Sequence, residues 1–159
     1  MAAVDYFLKI DGIKGESTDS KHKDEIDVES FSWGASQSAT PVGGGGGAGK
    51  VQVQDFHFTM RTNKASPTIF FNLASGTHIK QAVLYARKAG KDQLEFLKLA
   101  FSDILISSYQ TGGSQDVVPT DQVSINFAKI EFEYRPQNAD GTLEAAVTAS
   151  WDVKANKAV

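Results

Sequence analysis

Apolar and polar side chains alternate with a period of two along most of this chain, and in two segments the alternation changes phase. Val4, Tyr6, Leu8 and Ile10 occupy one parity at the start. Val51 and Val53 are odd-numbered, but Phe56 and Phe58 just after them are even. Val123, Ile125 and Phe127 are odd, whereas Ile130, Phe132 and Tyr134 are even. Successive strand side chains point to opposite faces, so each change moves the buried face from one side of the strand to the other. A bulge or sharp coiling does this where a sheet bends. The alternative is a strand buried on both faces, one within its own subunit and one between subunits. The pattern predicts a mainly β protein, a β-barrel or sandwich with one packed α-helix.

The remaining elements follow from punctuation. Gly15 to Glu25 is polar and reads as an exposed loop, and Ile26 to Ser38 as extended chain with Phe31 and Trp33 on one face and Ser30 and Ser32 on the other. Lys50 to Met60 is the next strand. Ser66 is placed to cap a helix, Pro67 suits its first turn, and Ile69, Phe70, Leu73 and Ala74 keep helical spacing up to a closing Gly76. Strands run from Ile79 to Arg87, from Gln93 to Ser108 (one long strand or a bent pair), from Val123 to Tyr134 and from Leu143 to Val153. Gly90-Lys91-Asp92 and Asp140-Gly141 read as turns, and Thr111 to Asp121 as a second exposed loop. At 159 residues the chain suits one domain, 1–159, which buries roughly 68–70% of its unfolded surface without staples.

The run Gly43-Gly44-Gly45-Gly46-Gly47-Ala48-Gly49 closes on Lys50 and matches G-x-x-x-x-G-K. A phosphate-binding loop needs Ser or Thr next, and a helix whose N-terminus faces the phosphates. Here Val51, Gln52, Val53 and Gln54 follow in strand alternation. G-x-G-x-x-G is also met, but any glycine run meets it. The segment therefore reads as a loop between two strands.

The search for chemistry finds no catalytic site. His22, His57 and His78 lack metal-ligand spacing, His57 reads as a surface partner of Asp55, and His78 as a partner of the helix C-terminal carbonyls. No G-x-S-x-G supports a serine nucleophile. Asp24, Glu25, Asp27 and Glu29 read as a solvated face, and Trp33 and Trp151 as core. A net charge of -3 and a pI near 5.6 argue against nucleic acid or membrane as partner. There is no cysteine, and Asp5, Lys9 and Asp11 interrupt any signal-peptide apolar region. The expected location is the cytoplasm, with any exit through a dedicated machine. Three strand faces, Ser30/Ser32, Ser124/Asn126 and Thr148/Ser150, carry small uncharged polar side chains. They suit the wall of a water-filled channel or a transient contact.

The ordered set of segments resembles the hemolysin-coregulated protein (Hcp) family, the tube subunit of the bacterial type VI secretion system. It comprises Asp5-Tyr6-Phe7-Leu8-Lys9-Ile10, Gly12-Ile13-Lys14-Gly15-Glu16-Ser17, Glu25-Ile26-Asp27-Val28 leading to Ser32-Trp33-Gly34, the Gly43–Lys50 loop, and Val53-Gln54-Asp55-Phe56-His57-Phe58. Ser75-Gly76-Thr77-His78, Arg87-Lys88-Ala89-Gly90, Ser107-Ser108, Thr111-Gly112-Gly113-Ser114, Asn126-Phe127-Ala128 and Tyr134-Arg135-Pro136-Gln137 complete it. The resemblance implies a small antiparallel β-barrel of two packed sheets with one α-helix, and a hexameric ring of this chain, stacked into an expelled tube with no cofactor and no enzymatic activity. It implies as partners the spike protein VgrG, the contractile sheath and effector proteins, with release from the cytoplasm without a signal peptide. By position, Val42, Gly43, Gly44, Gly45, Gly46, Gly47, Ala48, Gly49 and Lys50 correspond to the family's ring-stacking loop, expected to be mobile in a free ring and ordered on stacking. Ser30 and Ser32 become the lumen and effector contacts. The rival reading is a ligand-binding β-barrel with an aromatic pocket.

Overall fold

The structure, a computed structural model, describes residues 4–37, 50–88 and 93–159. Its elements are β1 (Val4–Ile10), β2 (Ile26–Val28), β3 (Ser30–Ser32), β4 (Ala35–Gln37), β5 (Val51–Val53), β6 (Phe56–Arg61), α1 (Ala65–Ser75), β7 (Ile79–Lys88), β8 (Glu95–Ser114), β9 (Val117–Tyr134), β10 (Val147–Asp152) and β11 (Lys157–Ala158). Nine strands form one antiparallel sheet in the order β11-β10-β9-β8-β7-β1-β2, with β6 on β9 and β3 on β6. β4 and β5 pair separately.

The large sheet folds over on itself. β2 pairs with β1 and β3 pairs with β6, yet only Glu29 separates β2 from β3. The Glu29 N–H donates to the Thr59 carbonyl at 2.9 Å, so the chain passes from one side of the fold to the other there and closes the barrel. Between the two layers lies the core. Phe56 on β6 meets Phe101 on β8 with ring centroids 4.7 Å apart, and Phe101 meets Phe127 at 4.8 Å. Leu8, Ile26, Phe58, Met60, Leu84, Leu99, Ile104 and Ile125 fill the space around them. Burying each such side chain is worth roughly 1.5–3 kcal/mol, which is what holds the layers together.

Both phase changes have a structural cause. The first is a break: β5 leaves the large sheet to pair with β4, and β6 begins after Gln54 and Asp55. The second is a change of partner along one continuous strand. Thr120 to Ile125 of β9 pair with β6, whereas Lys129 to Tyr134 pair with β10. Between the two stretches the Ala128 carbonyl accepts from the Val153 N–H at 2.8 Å. Opposite it, β8 carries Asp103 at φ 54 and a register shift between Ile106 and Ser108. Both long strands therefore cross from one layer to the other, and what faces the core changes parity as they do.

Several boundaries differ from the sequence expectation. Thr111 to Asp121 is not a loop: β8 and β9 stay paired out to Ser114 and Val117. Pro119 is tolerated because the register shift between Gly112 and Ser114 leaves it outside the ladder. Ser66 does not cap α1. The Asn63 side-chain oxygen accepts the Ala65 N–H at 2.8 Å, and Ser66 is a buried residue of the first turn. Pro67, the third residue of α1, lies in the first turn as expected, where backbone N–H groups still lack helical partners. Gly76 ends the helix at φ 65, as expected, with N–H bonds to the Asn72 and Leu73 carbonyls. The last long strand begins at Val147 rather than Leu143, and β11 is an addition. The Gly90-Lys91-Asp92 turn lies outside the described residues.

Candidate functional site

Alternation along β6 points Phe56, Phe58 and Met60 into the core, which leaves Asp55, His57, Thr59 and Arg61 on the other side. The same logic on β9 buries Val123 and Ile125 and puts Gln122, Ser124 and Asn126 on the opposite side, where Gln122 and Asn126 are exposed and Ser124 is covered by its neighbours. Register then lines these residues up across four strands. One row reads Ser32, His57, Ser124, Ser108, and the next reads Ser30, Thr59, Gln122, Gln110. The residues line a shallow trough of about 470 Å³.

Each row carries one side-chain contact between neighbouring strands. His57 Nδ1 lies 2.5 Å from Ser124 Oγ, and Ser30 Oγ lies 2.5 Å from Thr59 Oγ1. Neither row contains Asp, Glu, Lys or Arg. Charge appears only at the ends. At one end Asp55 accepts from Ser107 Oγ at 2.6 Å and Asn126 Nδ2 at 3.0 Å. At the other, Arg61 Nε donates to Glu29 at 3.3 Å. This arrangement wets a surface without gripping any one ligand: the groups are neutral, most are short, and four of the eight already have a side-chain partner.

Sequence reasoning found Ser30, Ser32, Ser124 and Asn126 but missed that His57, Thr59, Gln122, Ser108 and Gln110 join them. Parity against Phe56 and Phe58 could have placed His57 and Thr59, whereas the bulge before Ser108 was invisible. Thr148 and Ser150 do not join, because they pair with Glu133 and Glu131 on the other layer. His57 is not a partner of Asp55. His78 is not bonded to the helix carbonyls: its Nδ1 lies 3.5 Å from Asp103, a carboxylate that Lys154 also contacts at 3.2 Å. Trp33 and Trp151 do pack against the core.

The loop from Gly15 to Glu25 is the larger correction. It is clamped onto the outer face of β1 and β7 rather than solvated. His22 and Arg87 are both buried, and Phe7 lies between them: the imidazole stacks on its ring at 4.4 Å, and the guanidinium carbon lies 4.8 Å from its centroid. Arg87 makes a two-pronged pair with Asp19, at 2.9 and 2.6 Å, and this hydrogen bonding holds the Asp19 carboxyl well below the usual carboxylate range. His22 bridges Glu25 at 3.0 Å and Glu95 at 2.5 Å. Burial pushes the Glu25 pKa up in spite of His22. Gly15 lets the loop lie this close, since a Cβ there would come within 2.5 Å of the Glu25 carbonyl oxygen.

A third polar cluster ties down the helix. Asp121 is fully buried under the start of α1. Burial opposes its ionisation, but hydroxyls of Ser66, Thr111, Thr62 and Tyr109 outweigh that and keep its pKa below the ordinary value.

Residues 7–134 match the model of the type VI secretion system effector family Hcp. The chain belongs to the Hcp family. It is 46% identical over 159 residues to protein hcp1 of Pseudomonas aeruginosa, covering 97% of this chain and 98% of that one. Hcp1 from Salmonella typhimurium has the same fold over the full length of both chains, with a TM-score of 0.83 at 41% identity. A type VI secretion system effector from Yersinia pestis matches 94% of this chain and 100% of its own, with a TM-score of 0.77 at 32% identity. This Hcp is accordingly a tube/effector protein of the type VI secretion system, a structural component and not an enzyme. Hcp proteins are secreted by that system, and among the described residues no helix is long and apolar enough to cross a membrane. Of the expected stacking loop, Val42 to Gly49 lie outside the described residues. Lys50 is exposed immediately before β5, whose pairing with β4 joins the two chain segments that bracket the glycines.

Proposed function

We propose that this Hcp protein closes into a six-membered ring whose lumen is lined by the polar face of β3, β6, β9 and β8, and that the rings stack into the inner tube of the secretion system. The observation that carries this reading is the neutral face itself, together with its two edges. Among the described residues, β3 has no backbone partner beyond β6, and β8 has none beyond β9 past Ile104. A four-stranded wall with an unpaired strand on each side extends head-to-tail, and six copies close it under cyclic symmetry. The resulting wall is continuous, short-chained and uncharged, so a folded effector passes along it without adhering.

In this reading Ser30 and Ser32 contact effectors, and Val42 to Lys50 reach the next ring. VgrG caps the tube, the contractile sheath surrounds it, and residues 1–159 act as one domain, made in the cytoplasm and expelled without a signal peptide. Light scattering coupled to size exclusion tests the ring. The expected solution mass is about 100 kDa, six copies of the 17.1 kDa chain. A monomer across the micromolar range would remove the ring and with it the lumenal role of the polar face.

A further inference from the structure

The imidazole of His22 has a carboxylate on each of its two nitrogens. Nδ1 lies 3.0 Å from Glu25, and Nε2 lies 2.5 Å from Glu95, 73 residues further along the chain. A neutral imidazole carries one N–H and one lone pair. It can donate to one of these carboxylates, but its lone pair then faces the other. His22 is only 3% exposed, so bulk water does little to screen that repulsion. The contacts as they stand therefore hold one proton more than a neutral imidazole and two carboxylates supply.

The charged groups around the ring favour that proton. The loop contributes Asp19, Lys21 and Glu25, and β1 contributes Asp5 and Lys9 on either side of Phe7. Asp27 comes from β2, Arg87 and the phenol of Tyr85 from β7, and Glu95 from β8. Carboxylates outnumber cations in this set. The buried cation, Arg87, is already taken by Asp19 at 2.9 and 2.6 Å.

The two carboxylates on His22 are not equivalent. Glu25 belongs to the loop itself, and its side chain is 12% exposed. Glu95 stands on β8 and is 38% exposed. With Lys21 it also borders an open cleft of about 480 Å³, into which it can swing. If the proton leaves, the remaining N–H stays with Glu25, because giving it up would strand a buried carboxylate. Glu95 turns to water at little cost.

We infer that Glu25, His22 and Glu95 form a proton-held catch: with the proton in place the Gly15–Glu25 loop is tied to β8, and on its loss Glu95 lets go and the loop loosens from the outer face. The loop keeps its own shape through the Gly15 N–H to the Asp24 carbonyl, at 2.8 Å, and the Asp24 N–H to the Ser17 carbonyl, at 2.9 Å. It therefore moves as a unit about the Arg87–Asp19 pair, which the catch leaves intact. The catch binds its proton in the folded chain, so its contribution is present at low pH and lost as the pH rises. That is opposite in sense to Asp19, whose contribution is lost on the acid side.

Hydrogen exchange tests the catch. Exchange of the backbone amides of residues 19–25, corrected for the intrinsic rate, should rise about tenfold or more between about pH 5 and about pH 8. In Glu25→Gln with Glu95→Gln, the amide on each ring nitrogen donates or accepts as a neutral imidazole requires, so the rise should be absent. An equal rise in the double variant, or none in the parent, overturns the catch. A second measurement needs only the parent, should the double variant fail to fold. The ring nitrogen NMR resonances of His22, assigned by elimination with the exposed-site variants His57→Gln and His78→Gln, should change with the same midpoint as the exchange. Ring resonances that stay constant over that range, or that change while the loop keeps its protection, also overturn the catch.

Discussion

The outer face of β1 and β7 and the polar face of β3, β6, β9 and β8 solve opposite problems with polar side chains. On the outer face, long polar groups are driven out of water: the Arg87 guanidinium is 3% exposed, the His22 imidazole is 3%, and each is matched to carboxylates around Phe7. On the polar face, mostly short neutral groups lie at or just below the surface (Ser124 alone is buried) and bond only to their cross-strand neighbours. The first arrangement fixes one geometry and is costly to disturb, because removing a partner strands a buried charge. The second tolerates change, because what a substitution removes, water replaces. The difference teaches which surface is built for the chain itself and which is left available for something that moves past.

The sharpest way to break the comparison is at Phe7. Phe7→Ala removes the ring between His22 and Arg87 and should lower stability by about 3–5 kcal/mol in urea unfolding. A loss under 1 kcal/mol would mean that the loop holds without its centre. The next effect is a pH dependence to which the outer face contributes through Asp19 and Glu25. Asp19 has a depressed pKa, so its stabilising contribution is complete above the ordinary value of 3.8 and is lost as the pH falls below it. Glu25 has a raised pKa and works the other way, adding stability as the pH falls from its raised value towards 4.5. Melting temperature should therefore drop steeply below about pH 4, and Asp19→Asn should flatten that limb. An unchanged limb would place the acid-sensitive group elsewhere, with buried Asp121 the next to test. The smallest effect belongs to the polar face. Ser32→Gln should shift stability by no more than about 0.5 kcal/mol. Its consequence should appear instead in the effectors that co-purify with the protein. Full retention of every effector would remove Ser32 from the lumen.

How much of this was legible depends on range. Val4 to Ile10 and Phe56/Phe58 announce their faces because strand parity is local, and the end of α1 at Gly76 follows from one glycine's φ. The parity change in β9 was readable as an event, but its cause was not, since the cause is a switch from β6 to β10, strands far away in sequence. The outer clamp was invisible for the same reason. Asp19 and Arg87 lie 68 residues apart, and a polar loop with a buried histidine looks like any polar loop until the distant strand is placed beside it. Ser30 and Ser32 stood out because small polar residues flank Phe31; Ser108 did not, because a bulge shifts it. The helix cap was misread between two residues three apart, where Asn63 and Ser66 both have the chemistry.

The long hairpin of β8 and β9 runs through both layers of the barrel. Neither layer is therefore a separate mechanical part. A push applied to the β10 side travels along the covalent backbone of β9 into the strands at β6, instead of being handed across a hydrogen-bonded joint. In the tube proposed above, a forward thrust therefore loads each subunit as one piece. The thrust has no internal boundary at which to tear it.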